Sequence, residues 1–410
     1  MLKKVFLFPG QGSQYVGMGE KLCGRSEVAS RTFDEASEIL NFDLKKLCFK
    51  GELTELTKTE NLQPAILTMS VASFRAFTEQ FGARADYMAG HSLGEISALT
   101  CSGAIAFEDA VRIARLRGKF MQEAVAENVG AMAAIRNLDK ETIELKCKEV
   151  AGDRNSVAVS NYNSRNQIVV SGYKEDVLKL TEILTDMGAQ AKMLQVSAPF
   201  HCALMKPAAD MLKAELEKYT FKDVKYKVIS NVTARPYEGK EVIIDNLVNQ
   251  VVSPVQWIES MLYLRRKTVE VGIELGAGSV LKNMMTHNTP SIRVFTYDND
   301  SDIKTLEQID LNSKYSFFSR AMGIAVATPN KNWDNEEYQK GVVEPYRIIQ
   351  KLNEKSENDN SEITTEDMKK AVDMLLMILK TKGTSEDEIK TRMEQFFWDT
   401  DTMDMFCKAD

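Results

Sequence analysis

No stretch of this 410-residue chain constrains its fold more than Gly90-His91-Ser92-Leu93-Gly94. It reads as a G-x-S-x-G nucleophile elbow, a serine on a tight turn between a strand and a helix. Tyr87-Met88-Ala89 supplies the apolar end of a buried strand. Glu95 to Leu99 opens a helix, with the Glu95 carboxylate near the positive end of the helix dipole. Glycines at both flanks suit a turn past which other backbone must run closely. The serine hydroxyl then stands at a helix N-terminus, where backbone N–H groups can hold a developing oxyanion. Taken alone, the motif fits a Gly-rich turn with an incidental serine equally well, so the rest of the chain has to decide.

Val5-Phe6-Leu7-Phe8 is a continuous apolar run, the pattern of a central parallel strand. It leads into Pro9-Gly10-Gln11-Gly12-Ser13-Gln14. A dinucleotide loop is disfavoured there because Tyr15 takes the place of the third glycine, which leaves a loop facing an active site. Asn61-Leu62-Gln63-Pro64 opens a helical run, Ala65 to Phe81. Val228–Asn231 and Val269–Leu275 read as further core strands. Gly276-Ala277-Gly278-Ser279 lacks the Lys-Ser/Thr ending of a phosphate loop and reads as a turn.

Between Gly130 and Val196 the order is strand (Ala131–Ile135), helix (Lys140–Val150), strands (Val157–Ser160, Gln167–Val170), helix (Glu175–Met187) and strand (Ala189–Val196). That β-α-β-β-α-β order is ferredoxin-like. The fold expected is therefore α/β. A large α/β-hydrolase-like catalytic subdomain with a parallel sheet takes residues 1–128 and 197–300. A small ferredoxin-like subdomain, 129–196, is inserted in it, and a helical C-terminal extension takes 301–410. In that extension Glu354–Glu362 reads as a charged linker. Thr364–Lys382 and Ser385–Phe397 read as an amphipathic hairpin packed on the body, with Thr364 as cap and Gly383 as stop.

Composition narrows the function. Apolar residues make up 44% and charged residues 27%, as in soluble domains with a full core. The net charge of −7 argues against nucleic-acid and anionic-membrane partners. Cys23, Cys48, Cys101, Cys147, Cys202 and Cys407 form no C-x-x-C pair or ligand-like group, and read as reduced thiols of a cytoplasmic protein. No apolar run is long enough for a membrane span, and the N-terminal one is too short for a signal peptide.

Two residues stand out as partners for the elbow. In the helix Phe107–Ala126, Arg112, Arg115 and Lys119 share a solvated face, whereas Arg117 falls on the apolar stripe. An arginine there is costly unless it meets an anion. That anion is either an internal carboxylate or a carboxylate of the substrate, which a planar guanidinium grips with two parallel hydrogen bonds. His201 follows Ala198-Pro199-Phe200 at a strand-to-loop transition and is either a general base for Ser92 or a structural histidine. His287 lies in a polar segment and reads as surface. Gln250 lies on a helix, Asp245 to Val252.

Together these stretches resemble the malonyl-CoA:acyl-carrier-protein transacylases and the acyltransferase domains of polyketide synthases. The resemblance is carried by Phe8–Gln14, Leu62–Ala65, Gly90–Glu95, Arg117–Gln122, Ser160–Ser164, His201 with Cys202–Met205, Ser230–Thr233, and Gln250 with Pro254–Trp257. It implies Ser92 as nucleophile and His201 as its base, oriented by a backbone carbonyl near Gln250. It implies an oxyanion hole of the Gln11 and Leu93 N–H groups, and Arg117 on the malonyl carboxylate. Phe200 is implied in excluding methylmalonyl units, and Gln63, His91 and Asn231 in lining the substrate site. The implied partners are malonyl-CoA and an acyl carrier protein bearing phosphopantetheine, with no permanently bound cofactor or metal. Arg265-Arg266-Lys267 and the Arg112/Arg115/Lys119 face are candidate docking patches for an acidic carrier.

The tail, with Ala321–Val326 and Gly341–Tyr346, resembles that of free-standing, trans-acting acyltransferases of polyketide or hybrid peptide–polyketide assembly lines. Fatty-acid supply, an acyl hydrolase on the same elbow, a non-catalytic scaffold, and the oligomeric state, a monomer included, stay open at this point.

Overall fold

The computed structural model describes residues 2–406 apart from 83, 127, 197, 310, 312–316, 359–363 and 401. The chain divides into two compact units, residues 2–311 and 312–410. The described strands, in chain order, are β1 (Lys4–Phe8), β2 (Tyr87–Gly90), β3 (Gly130–Arg136), β4 (Val157–Ser164), β5 (Gln167–Tyr173), β6 (Gln190–Met193), β7 (Lys227–Ile229), β8 (Val271–Glu274) and β9 (Arg293–Thr296).

The first unit is built on a sheet of order β7-β2-β1-β8-β9, parallel at every pairing. Val5 to Phe8 are fully buried, as a strand covered on both faces requires. The Gly10 loop leaves the carboxyl end of β1, and the elbow leaves the carboxyl end of its neighbour β2. That edge of an open parallel sheet is where ligands bind. The two turns touch: His91 donates its N–H to the Phe8 carbonyl at 3.0 Å. A Cβ on Gly94 would stand 2.0 Å from the Phe8 carbonyl oxygen, and one on Gly10 would stand 2.3 Å from that of His91. These are backbone obstacles that no rotamer change relieves. Gly94→Ala is therefore expected to lower the melting temperature by about 5 °C or more; a melting curve matching the parent's would contradict the close approach.

The helix Thr59–Phe81 starts earlier than Ala65 and carries Pro64 in its second turn. Pro64 offers no N–H, and the Glu60 carbonyl it leaves accepts instead from Arg115 Nη1 at 3.4 Å. Arg115 also bonds Asn61 and pairs with Glu60 at 3.5 Å. It is thus part of the packing between two helices, not of a freely solvated face.

The inserted subdomain has sheet order β4-β5-β3-β6, antiparallel throughout. Helices Lys140–Ala151 and Lys174–Asp186 pack on one side. The two-residue period of β3 shows why it serves two layers. Ala131, Ala133 and Ile135 join the core under those helices, while Met132 and Ala134 join the core of the catalytic body. The fold is mixed α/β with a parallel sheet, a small antiparallel subdomain and a helical extension. The catalytic unit runs past residue 300, where the extension was expected to begin. Ile303, Leu306 and Leu311 are buried in its core.

The second unit gathers helices Phe317–Ala327, Glu344–Asn358, Thr365–Thr381 and Glu386–Thr400 around Phe318, Ile349, Leu375, Ile378 and Phe396. Thr364 caps as expected, accepting from the Asp367 N–H at 3.1 Å. The hairpin shares one core with two earlier helices and is no isolated pair. The charged stretch read as a linker begins as helix through Asn358; residues 359–362 lie outside the described residues. The buried face of that helix, with Ile349 and Asn353, explains why charge alone misleads there. Among the described residues no helix is long and apolar enough to cross a membrane. The five described cysteines are free thiols; Cys407 lies outside the described residues.

Candidate active site

Ser92 has φ 54° and ψ −108°, the strained geometry by which an elbow lifts its serine clear of strand and helix. Its Oγ lies 2.8 Å from His201 Nε2. On the far side of the ring, His201 Nδ1 donates to the Gln250 main-chain carbonyl at 2.7 Å. That bond fixes the tautomer and leaves Nε2 as the acceptor for the serine proton. Among the described residues no carboxylate takes part.

Burial, reinforced by the nearby Arg117 charge, pushes the His201 imidazole down to about 3, against the pull of the Gln250 carbonyl. A depressed imidazole is neutral, and competent as a base, at every pH above that value. In nitrogen-15 spectra of histidine-labelled protein, the His201 resonances are expected to stay at their neutral positions down to pH 5. A midpoint near the usual 6.5 would refute the buried setting.

Arg117 is 2% exposed. Its Nη1 donates to Gln63 Oε1 at 2.8 Å and its Nη2 to Gln250 Oε1 at 2.9 Å. Nη2 also lies 3.3 Å from Ser92 Oγ, and the buried Nε has no partner. Among the described residues no carboxylate lies within ion-pairing distance. Burial lowers the guanidinium to about 10, opposed by the charge of Glu95. The internal salt bridge allowed by the sequence is thus absent. The cation is held by two neutral amide oxygens beside the nucleophile, with its charge unspent.

A cavity of about 150 Å³ opens here, and Gln11, Gln63, Leu93, Phe200 and His91 line it together with Ser92, Arg117 and His201. Among the described residues no acceptor is bound to the N–H of Gln11 or of Leu93, the first residue of the elbow helix. His91 is tied back, its Nε2 2.8 Å from Asn163 Oδ1. Asn231, expected at the substrate, lies under the elbow instead. Its Oδ1 accepts the Ser92 N–H and its Nδ2 donates to the Gly90 carbonyl, both at 2.7 Å. With both ends of its amide committed to main chain, it braces the turn.

The roles of two buried carboxylates escaped sequence reasoning. Glu95 lies in the first turn of the elbow helix as expected, but it is fully buried. It accepts from Tyr237 OH at 2.5 Å, Gln250 Nε2 at 2.5 Å and the Asn231 N–H at 3.1 Å. Burial raises it to about 7 in spite of these bonds. Because Gln250 Nε2 is held by Glu95 and, at 3.0 Å, by the Ser92 carbonyl, its Oε1 has to face Arg117. Glu274, at the end of β8, accepts the N–H groups of Leu281 and Lys282 at 2.9 and 2.8 Å. It fills the helix N-terminus after the Gly276–Ser279 turn, which leaves no phosphate seat there.

The two basic patches have local explanations. Arg112 pairs with Glu108 at 2.6 Å. Arg265 and Arg266 occupy the last turn of Trp257–Arg266, the negative end of the dipole. Neither patch lines the cavity.

An imidazole-activated serine beside a free buried cation is equipment for moving acyl groups, and the chain is an acyltransferase: the family described as Acyl transferase domain matches residues 5–309. A malonyl CoA-acyl carrier protein transacylase of Escherichia coli K12 is 46% identical over 285 residues, 69% of this chain and 92% of that one. One of Bacillus subtilis is 36% identical over 384 residues, 92% of this chain and 96% of that one. Among solved structures, the transacylase of Coxiella burnetii superposes with a TM-score of 0.74 at 36% identity, covering 76% of this chain and 98% of its own. A malonyl-transacylase solved in complex with its type II polyketide synthase acyl-carrier protein gives 0.73 at 41% identity, covering 75% and 100%. The chain belongs to the malonyl-CoA:acyl carrier protein transacylase family.

Proposed function

We propose that this protein transfers the malonyl group of malonyl-CoA to the phosphopantetheine thiol of an acyl carrier protein through a malonyl-serine ester. The free thioester carboxylate sits on Arg117. Ser92 Oγ attacks the thioester carbonyl while His201 Nε2 takes its proton. The carbonyl oxygen becomes an oxyanion between the N–H groups of Gln11 and Leu93, where one such donor contributes about 3–4 kcal/mol. The C–S bond breaks, and CoA leaves with the proton from His201. The carrier thiol repeats the sequence in reverse on the ester, giving ping-pong kinetics. Phe200, at the cavity wall, crowds an α-methyl branch and supports malonyl as the unit.

The observation that carries this reading is the Arg117 guanidinium, free of carboxylates and 3.3 Å from Ser92 Oγ. A hydrolase of simple acyl groups has no use for it. Mass spectrometry of the intact protein tests the proposal. Malonyl-CoA should add one malonyl group to the parent and none to Ser92→Ala, and a holo carrier protein should remove it. A label lost to water before any carrier is added would favour the hydrolase.

A role in trans for a polyketide or hybrid synthase is supported by the tail motifs. The Bacillus subtilis relative shares the length of chain that holds those motifs: its match extends over 92% of this chain where the Escherichia coli match stops at 69%. Discharge onto synthase-derived carriers in preference to a fatty-acid carrier is the expected result of a carrier panel.

A further inference from the structure

An oxyanion hole works because its donors are fixed in place before the charge forms. The loop that bears the Gln11 N–H has little to fix it. Gly12 and Gly17 lie at φ 102° and 99°, and glycines at such angles leave the backbone free to move. Among the described residues, the hydrogen bonds of residues 11–14 close within the loop. The Ser13 N–H and Oγ donate to the Gly10 carbonyl at 3.3 and 2.9 Å, and the Gly12 N–H donates to Gln14 Oε1 at 2.8 Å. Among the same residues, one hydrogen bond ties residues 11–16 to another segment: the Tyr15 hydroxyl donates to Asp298 Oδ2 at 2.7 Å. The Tyr15 ring is 40% exposed, so deep packing does not hold it there.

The other end of that bond is anchored. The same Asp298 oxygen accepts the Gly278 N–H at 2.7 Å, and the Gly278 carbonyl accepts from Thr296 Oγ1, at the end of β9, at 2.6 Å. Asp298 therefore refers the loop to the edge of the parallel sheet. It also joins the loop to the turn that leads into Val280 and Leu281, which line the catalytic cavity with Gln11.

We propose that Tyr15 and Asp298 are positioning residues for the reaction, a clasp that holds the Gln11 N–H where the oxyanion forms. The inference rests on the acyl-transfer reading of the site, with Gln11 in its oxyanion hole. Neither side chain needs to touch the substrate.

Tyr15→Phe removes the hydroxyl and keeps the ring. Single-turnover acylation of Ser92 is expected to slow about three- to tenfold. The loss should be equal with malonyl-CoA, acetyl-CoA and p-nitrophenyl acetate, because each forms the same oxyanion. Calorimetric binding of malonyl-CoA to Ser92→Ala should be unchanged when Tyr15→Phe is added, since no oxyanion forms there. Asp298→Leu should slow acylation at least as much. Asp298→Asn should keep the parent rate, because its amide oxygen can accept both donors. Tyr15→Phe added to Asp298→Leu should cost nothing further, as expected of two ends of one contact. A parent-like acylation rate in Tyr15→Phe would overturn the clasp. So would a loss confined to malonyl-CoA, or weaker malonyl-CoA binding with an unchanged rate, either of which would place Tyr15 on the substrate instead. The ester separates this proposal from the malonyl reading: a parent acylated by p-nitrophenyl acetate and not by malonyl-CoA would remove malonyl transfer and still measure the clasp.

Discussion

Arg117→Ala is expected to lower kcat/KM for malonyl-CoA by about 10²- to 10³-fold while leaving transfer from acetyl-CoA within a few-fold of the parent. The asymmetry follows from what the guanidinium touches. Its protein partners are the neutral oxygens of Gln63 and Gln250, so a substrate carboxylate would be the counter-charge in direct contact with it. Losing a buried, charge-assisted bidentate contact leaves that carboxylate desolvated and unpaired. An acetyl group brings no charge and loses nothing comparable. The base should be little disturbed, since His201 is oriented from its other nitrogen by the Gln250 main chain, which the substitution does not touch. Removing a neighbouring cation also lifts the imidazole toward its ordinary range, which makes it a stronger base. Arg117→Lys should recover only part of the loss, because a point charge cannot reproduce the two-pronged grip. The measurement is the ratio of acylation rates for the two thioesters. A ratio equal to the parent's in Arg117→Ala would remove the clamp, and with it the main support for malonyl over simple acyl groups.

What the sequence made legible were features with a local signature. The elbow is a five-residue pattern, and the inserted subdomain shows its element order directly. Arg117 betrays itself because three- and four-residue spacing puts a cation on an apolar stripe. Contacts made between distant segments left no such trace. Nothing near Asn231 says that its side chain will hold the Ser92 and Gly90 main chain 139 and 141 residues away. Gln250 was visible as a helical residue supplying a carbonyl, but its side chain's place between Arg117 and Glu95 depends on how three helices meet. The Glu354 segment failed for a different reason. Its charges are dense enough to mimic a linker, while one buried face suffices to keep a helix.

Glu95→Gln is expected to remove a large part of the pH dependence of stability, because Glu95 is the group on which distant segments converge. The Glu95 carboxyl is raised from 4.5 to about 7, chiefly by burial. The native state therefore holds this proton more tightly than the unfolded chain. The resulting stabilisation is fully present below pH 4.5 and is lost as pH rises through 7, by about 3 kcal/mol in all. The groups facing it all oppose burial: the Tyr237 hydroxyl, the Gln250 amide and the Asn231 N–H favour the anion, as does the Arg117 charge, and they do not outweigh desolvation. Glutamine mimics the protonated carboxyl, and its carbonyl can still accept from Gln250 Nε2, so the arm to Arg117 stays in place. Between pH 5.5 and 8.5 the melting temperature of the parent should therefore fall relative to the variant by about 5 °C. Glu274, also raised to about 7 by burial, titrates in both proteins and cancels in the difference. A parent-minus-variant gap that stays constant over this range, with the parent the less stable protein at its acid end, would mean that Glu95 is ionised throughout. The carboxylate beneath the clamp would then be a permanent counter-charge to Arg117, and the guanidinium would have less attraction to offer a substrate.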